Sequence, residues 1–421
     1  MIIQAKNNLD INKDIIADYF SFKSNRISAH KVFIVTPFYP SDQFLYSGTF
    51  VESQVLCLKK NGIDTKVYLC SPRVPLLLEK FKLKWKRLKK INKNYIRSGV
   101  NVDVINFFSF PKNIAMQISI WDIERKLEKL VKRENPDILH AHFAIPTGIA
   151  ACLVGEKMNK PVVMTIHGSD IHTYPYIYNC LYRNAVKYAL MKADIVLAVS
   201  KYLKEHAMSI APEANIIVKR IGIDINLFRN EEREEKKESV IKIIFVGNLI
   251  KSKGIYDLLN AFAKLCKMIT KYQLNLLYIG DGPEKKALFD RAKALKIDQL
   301  VILLGARDHG EISRLINEAD IVVLPSYKEG MAQVVIEACA CGKPVVASKV
   351  GGIPEIVDNY VNGILVSPDS VREIVNALMK LIEDPVLRKS MGIKGRVKCE
   401  QEYDIEKNTL DLIGVYHRIL K

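Results

Sequence analysis

Short apolar runs rich in Val, Ile and Leu alternate along this chain with longer stretches in which apolar residues recur every three to four positions. The first clear run is Lys31 to Thr36 (KVFIVT), ended by Pro37 and Pro40 after some 30 residues of less decisive sequence. Further strand candidates follow at 64 to 70, 101 to 108, 137 to 140, 161 to 166 and 194 to 199, mostly separated by helical stretches such as Gln117 to Arg133. Strand, helix, strand at this spacing predicts a parallel, doubly wound sheet, because each crossover helix covers one face and leaves its strands buried on both sides. A second series opens at IKIIFVG (241 to 247) and repeats the alternation, with strands near 274 to 279, 300 to 304, 320 to 324 and 344 to 347. The fold class expected is therefore α/β, with two Rossmann-like, doubly wound domains in tandem facing across a cleft. Between the series lie Ile221 to Asn230 and EEREEKKE (231 to 238), a run of charges that reads as a solvated hinge or surface loop. No internal repeat of 20 to 50 residues is evident.

Length agrees with this division, since 421 residues exceed one ordinary core and suit two. The domains are expected at 1–222 and 223–403, with a last helix, 404–421, packing back on the first. Hydrophobic residues at 49% and charged residues at 26% describe a globular chain. No apolar run approaches the roughly 18 residues that cross a bilayer, and the first residues carry scattered acids where a signal peptide has an apolar block. A cytoplasmic location is expected. Eight cysteines without a Cys-x-x-Cys pair read as reduced core thiols, including Cys339 and Cys341.

The net charge of +17 is uneven. Residues 1 to 222 hold 33 Lys+Arg against 18 Asp+Glu, whereas the remainder holds 30 against 28. Within the basic half, residues 79 to 97 (EKFKLKWKRLKKINKNYIR) contribute nine bases and one acid.

Candidate chemistry gathers in the second series. The strand IVVLP (321 to 325) feeds the loop SYKEG and a helix expected from near Met331 through Cys341. The C-terminal ends of parallel strands form the ligand crevice, and a helix N-terminus there offers unpaired N–H groups and positive dipole to a phosphate. Glu329 sits in the loop and Glu337 about two turns into the helix, so the pair can accept hydrogen bonds from hydroxyls at opposite ends of one elongated ligand. A sugar at one end, a ribose at the other and phosphates between answer that description. VGNLIKSKG (246 to 254) places Lys251 and Lys253 beyond another strand end, with Lys253 the choice for the phosphates. IGDGPEKKAL (279 to 288) adds a tight turn set by Gly280, Gly282 and Pro283.

The succession VGNLIKSKG, IGDGPEKKAL, PSYKEGMAQVVIEACACGKPVVAS and VGGIPEIV resembles the retaining glycosyltransferases of family 4, which have the GT-B fold. The resemblance covers most of residues 241 to 366. It implies that Glu329 contacts the donor sugar and Glu337 the ribose, with Gly247, Asn248, Lys253, Gly282, Arg307, Gly330, Met331 and Ala332 around the donor. The backbone near Ala306 to Asp308 falls where the family holds the nucleotide base. The family usually has Arg where this chain has Asn248, so one phosphate-neutralising charge is missing and Lys253 carries more of the leaving diphosphate. On the N-terminal side, PFYPSDQFLYSG leads into a helix near Gly48, where a glycine lets amides approach an anion. His167, in TIHGSDIH after the strand PVVMTI, matches the family's histidine beside the donor sugar. Asp170 is assigned an acceptor or structural role, and His140 and His142 (HAH) read as rim or core histidines. The catalytic set is thus His167, Lys253 and Glu329. No Asp-x-Asp occurs in the chain, so neither metal nor cofactor is expected and the nucleoside-diphosphate sugar is a substrate.

Residues 77 to 95 place Leu78, Phe81, Trp85, Leu88 and Tyr95 at roughly helical spacing among lysines, as in a helix lying on an anionic membrane. Phe81, Lys84, Trp85, Arg87 and Lys89 are its expected contacts. The function expected is transfer of a sugar to a glycan or lipid-linked acceptor at the inner membrane face, in cell-surface polysaccharide synthesis, with no nucleic-acid partner. An epimerase or hydrolase of the same fold, or an inactive sugar-nucleotide-binding scaffold, are the rivals.

Overall fold

The structure is a computed structural model that describes residues 30–73, 88, 90–109, 116–173, 180–231 and 240–421. The first lobe is built on eight strands: β1 (Lys31–Thr36), β2 (Asp64–Arg73), β3 (Asn94–Arg97), β4 (Val100–Phe108), β5 (Ile138–His142), β6 (Val162–Ile166), β7 (Ile195–Ala198) and β8 (Ile216–Val218). Their order is β3-β4-β2-β1-β5-β6-β7-β8, parallel except for β3. The second lobe has β9 (Val240–Val246), β10 (Gln273–Ile279), β11 (Val301–Gly305), β12 (Ile321–Leu324), β13 (Val345–Ser348) and β14 (Gly363–Val366), all parallel in the order β11-β10-β9-β12-β13-β14. Chain order reverses beside β1, which pairs with β2 and β5, and beside β9, which pairs with β10 and β12. Such switch points open a crevice beyond the strand ends.

Helices cover both sheets. The first lobe carries α1 (Thr49–Lys60), α2 (Met116–Glu134), α3 (Ile149–Met158), α4 (Cys180–Lys192) and α5 (Lys201–Ile210). The second carries α6 (Ile255–Met268), α7 (Lys285–Ala294), α8 (His309–Glu318), α9 (Gln333–Ala340), α10 (Val371–Glu383) and α11 (Pro385–Glu402). In α2 the buried positions Ile120, Ile123, Leu127 and Val131 recur at helical spacing, so one stripe packs inward. The final helix, α12 (Ile405–Leu420), leaves the second lobe. Its Leu412, Ile413, Val415 and Tyr416 join Val32, Ile34, Val51 and Val55 in an apolar cluster of the first lobe.

The chain crosses between lobes twice, side by side: Ile223 N–H donates to the Tyr403 carbonyl at 2.8 Å, and Ile405 N–H donates to the Ile223 carbonyl at 3.0 Å. Two expectations need correction. Tyr95 does not continue a helix but lies on β3, and its hydroxyl donates to the Pro40 carbonyl at 2.8 Å. The reason is the turn Ser98-Gly99, both residues at positive φ (50° and 74°), which folds β3 back on β4 as a tight hairpin. The helix expected from Met331 starts at Gln333, because Ala332 (φ −87°, ψ 88°) is not helical. Phe81, Lys84, Trp85, Arg87 and Lys89 lie outside the described residues.

Candidate active site

The ends of β1 and β6 face those of β9 and β12 across a cleft of about 910 Å³ lined from both lobes. Its floor on the second lobe begins at Gly254, which follows the turn Lys251–Lys253 at φ 65°. A side chain there would place Cβ 2.0 Å from the Pro325 carbonyl oxygen. Only a glycine lets this turn settle onto the loop after β12. That contact brings Lys253 to Glu329: the ammonium donates to Glu329 Oε1 at 2.5 Å, and Ser326 Oγ donates to the same oxygen at 2.8 Å. Glu337 lies on α9, 4% exposed, and accepts from Gln333 Nε2 at 2.9 Å. Burial raises its pKa to about 7, against the lowering effect of that bond. Met331, Ala332, Gln333 and Val334 line the cleft where α9 begins, with no side chain capping the first turn. Those amides can meet an anion.

Gly247 and Asn248 line the cleft, with Asn248 exposed. Ala306 and Arg307 line it as well, and the Arg307 guanidinium reaches Glu311 at 3.7 Å. Gly282 does not line the wall. It packs on the Leu249 backbone, and Gly280 and Asp281 form the surface instead. Gly330 also lies off the lining, at the contact between lobes, where Cβ would fall 2.2 Å from the His167 carbonyl oxygen. Its own carbonyl accepts from Ser200 Oγ at 3.2 Å, and nearby Tyr202 N–H donates to Glu355 Oε1 at 3.1 Å.

From the first lobe, Gly48 precedes α1 at φ 73° and lines the cleft with Phe50. His167 follows β6, and its ring packs against Phe50 and Phe143 with centroids 4.7 and 4.6 Å away. Its Nε2 lies 3.0 Å from His142 Nδ1. Burial, and then the neighbouring His142, push the His167 pKa well below the ordinary histidine value, so the ring is neutral. Asp170 is buried and faces backbone: its carboxylate accepts from Ala144 N–H at 3.0 Å and Gly168 N–H at 2.9 Å. It therefore holds the turn that carries His167. His140 is a core residue whose ring nitrogens meet Tyr416 Oη at 2.6 Å and Thr165 Oγ1 at 2.8 Å. Among the described residues no group of three or more His, Cys, Asp or Glu is arranged to hold a metal.

Sequence reasoning missed Gln333, Ser326 and Phe143, which hold Glu337, Glu329 and His167. Gln333 stands four residues before Glu337, a spacing that places both on one helical face and could have found it. The contacts of His167 with Phe143 and His142 depend on how β5 pairs with β6, Ala141 beside Met164 and His142 beside Thr165, which residue spacing does not reveal.

Residues 47–227 match the model of Glycosyltransferase Family 4, and residues 228–398 match that of Glycosyl transferases group 1. The candidate teichuronic acid biosynthesis glycosyltransferase TuaC of Bacillus subtilis (strain 168) is 30% identical over 93% of this chain and 99% of its own. The N-acetyl-alpha-D-glucosaminyl L-malate synthase of Bacillus anthracis is 30% identical over 80% of this chain and 87% of its own. Among solved structures, the sucrose-phosphate synthase of Thermosynechococcus elongatus superposes with a TM-score of 0.74 at 17% identity, covering 93% of this chain and 99% of that one. HepE of Anabaena, solved in complex with UDP, gives 0.71 at 19% identity, covering 92% and 100%. Two lobes, their facing cleft and these matches along nearly the whole length lead to one assignment: the chain belongs to the family 4 glycosyltransferases and has the GT-B fold.

Proposed function

We propose that this glycosyltransferase moves a sugar from a nucleoside-diphosphate donor to a glycan or lipid-linked acceptor, with retention at the anomeric carbon and without a metal ion, in the synthesis of a cell-surface polysaccharide. The observation that carries this reading is the Lys253–Glu329 pair, set in one cleft with Glu337, His167 and the start of α9. In this reading Glu337 accepts from the ribose, Glu329 and His167 face the donor sugar, and Lys253 with the amides of Met331 to Val334 meets the diphosphate. Asn248 is neutral, so the positive charge beside the leaving group falls to Lys253. TuaC of Bacillus subtilis and the capsular polysaccharide biosynthesis glycosyltransferase CapM of Staphylococcus aureus, 27% identical over 70% of this chain and 80% of its own, support the polysaccharide context. The HepE complexes with UDP and UDP-glucose support a nucleotide-sugar donor.

The chemistry follows from stabilising charge as it develops. As the donor C1–O bond loosens, negative charge grows on the diphosphate, where the Lys253 ammonium and oriented amides lower the barrier without reorganising. The acceptor hydroxyl attacks C1 from the face the diphosphate leaves, and a diphosphate oxygen takes its proton. Closing the lobes excludes water, the competing acceptor. The absence of Asp-x-Asp from the sequence favours lysine and amides over a metal in this role. The charge excess of residues 1–222, concentrated at 79 to 97, favours work at an anionic cytoplasmic membrane surface.

Thermal-shift profiling against a panel of nucleotide sugars, with and without EDTA, identifies the donor. Release of nucleoside diphosphate is then followed with and without a glycan-lipid fraction. Release that requires the acceptor supports transfer, whereas equal release without it replaces this reading by hydrolysis, and donor conversion without release replaces it by epimerisation. Flotation with anionic liposomes checks the membrane: no binding at low salt removes that element.

A further inference from the structure

A small, partly open chamber of about 30 Å³ adjoins the cleft at His167 and is lined by residues that include Gln54, His142, Thr165, His167, Arg220 and Thr409. One water needs roughly 10–15 Å³ of such space. Three of its lining side chains carry buried polar atoms that no group among the described residues satisfies: Gln54 Oε1, His142 Nε2 and Arg220 Nε. An unsatisfied buried polar atom costs about 1–3 kcal/mol, so three around one chamber need a shared partner. His142 itself is 1% exposed, stacks on His140 with centroids 4.6 Å apart, and reaches His167 Nε2 through Nδ1.

We propose that a water held in this chamber sets the protonation of His142 and, through it, fixes His167 as the tautomer carrying its proton on Nδ1. Arg220 Nε–H can only donate, so the water accepts from it, and Gln54 Oε1 can only accept, so the water donates to it. The remaining water hydrogen completes the set if His142 Nε2 accepts. If His142 Nε2 carried a proton instead, that hydrogen would be left without a partner, and buried orphan hydrogens are rarer than under-used lone pairs. With Nε2 bare, the proton of neutral His142 sits on Nδ1 and is donated to His167 Nε2. His167 is neutral too, so its proton lies on Nδ1, on a ring that lines the cleft. His142 is thus a positioning residue, acting on substrate only through His167, and the motif HAH has one core histidine and one that orients. The catalytic meaning rests on the proposed contact of His167 with the donor sugar; the tautomer itself does not.

The test uses the ligand-free full chain labelled with ¹⁵N-histidine, with His167 identified by the signal missing in His167→Asn. Long-range ¹H–¹⁵N correlation is expected to show a protonated Nδ1 and a bare Nε2 at His167. In His142→Phe, which keeps the ring stack and removes both nitrogens, this pattern should give way to a mixture. His142→Asn, whose amide can stand for Nδ1–H, should restore it. Gln54→Glu puts a carboxylate into the chamber, which favours a proton on the facing His142 Nε2, and should also mix the tautomers, which keeps the test open if His142 variants fail to fold. A bare Nδ1 in the native protein, or an unchanged signal in both His142→Phe and Gln54→Glu, overturns the proposal. With the donor identified, kcat in His142→Phe should fall about 10- to 100-fold with KM little changed, the size seen when partners orienting a functional imidazole are removed. Full turnover in His167→Asn would defeat the sugar contact and leave the tautomer result standing.

Discussion

At the scale of single residues, the two glutamates read so easily from their spacing turn out to live in different environments. Glu329 is shared between a lysine and a serine, whereas Glu337 is buried and, among the described residues, has only the Gln333 amide. Its pKa, near 4.5 in an unfolded chain and raised to about 7 here by burial, means that the folded state holds its proton more tightly. The stability tied to this proton is complete below pH 4.5, is lost as pH rises toward 7, and changes no further above that. Glu337→Gln should therefore flatten the decline in melting temperature of the ligand-free protein between pH 5 and 8 and raise the upper end, while weakening donor binding. Donor affinity of the native protein should rise through pH 7 as Glu337 ionises to accept from the ribose. A native melting curve as flat as the variant's would remove the charge from this account. Lys253→Ala separates catalysis from stability in a similar way. Breaking the pair leaves Glu329 with Ser326 as a donor, and under the proposed mechanism the cation meets a diphosphate whose negative charge grows in the transition state. Turnover should fall by about 10²–10³, with circular dichroism unchanged and the variant still folding cooperatively at a somewhat lower melting temperature.

At the scale of elements, most apolar runs buried on both faces were legible, even at four residues, whereas the partly exposed strands β3 and β8 were not. KVFIVT and IKIIFVG announced the central strands β1 and β9 because a strand flanked by strands and helices must be apolar on both faces. β3 and β8, of four and three residues, owe their existence to partners remote from their own composition. At β3 the alternation of exposed Asn94 and Ile96 with half-buried Tyr95 and Arg97 was available, but the lysine-rich stretch before it suggested one continuous helix. Ser98-Gly99 was the overlooked signal. The hairpin also bears on the site, since Tyr95 anchors the Pro40 carbonyl in the loop after β1, and Arg97 Nε donates to Glu52 of α1 at 2.9 Å. Tyr95→Phe should cost about 1 kcal/mol, the net worth of one hydrogen bond, measurable as a lowered denaturation midpoint. An unchanged midpoint would mean that β3 docks by its backbone alone.

At the scale of the whole molecule, the tandem alternation disclosed two lobes, but how they face one another is decided by contacts that no local pattern carries. Two crossings, at Ile223 and at Tyr403 to Ile405, lie side by side and hydrogen-bond to each other, an arrangement suited to a hinge. Away from it the lobes touch where Gly330 meets His167 and where Ser200 and Tyr202 meet Gly330 and Glu355. Gly330 needs no special backbone angle; what it supplies is closeness. Adding one methyl group puts carbon 2.2 Å from the His167 carbonyl oxygen and 2.9 Å from Gly168 Cα, both backbone atoms that cannot swing aside. The hinge can relieve that overlap at low cost, whereas the packed interior of either lobe cannot. Gly330→Ala should thus leave both lobes folded and hold them apart, seen as a larger radius of gyration in solution scattering. Donor affinity should weaken by about tenfold or more, because the loop bearing Glu329 no longer meets His167 in one closed site. Gly414→Ala, on α12 where an added Cβ meets nothing within 4 Å, serves as the control and should match the native protein in both measurements. If Gly330→Ala scatters and binds like that control, the lobe contact is incidental and closure must be set elsewhere.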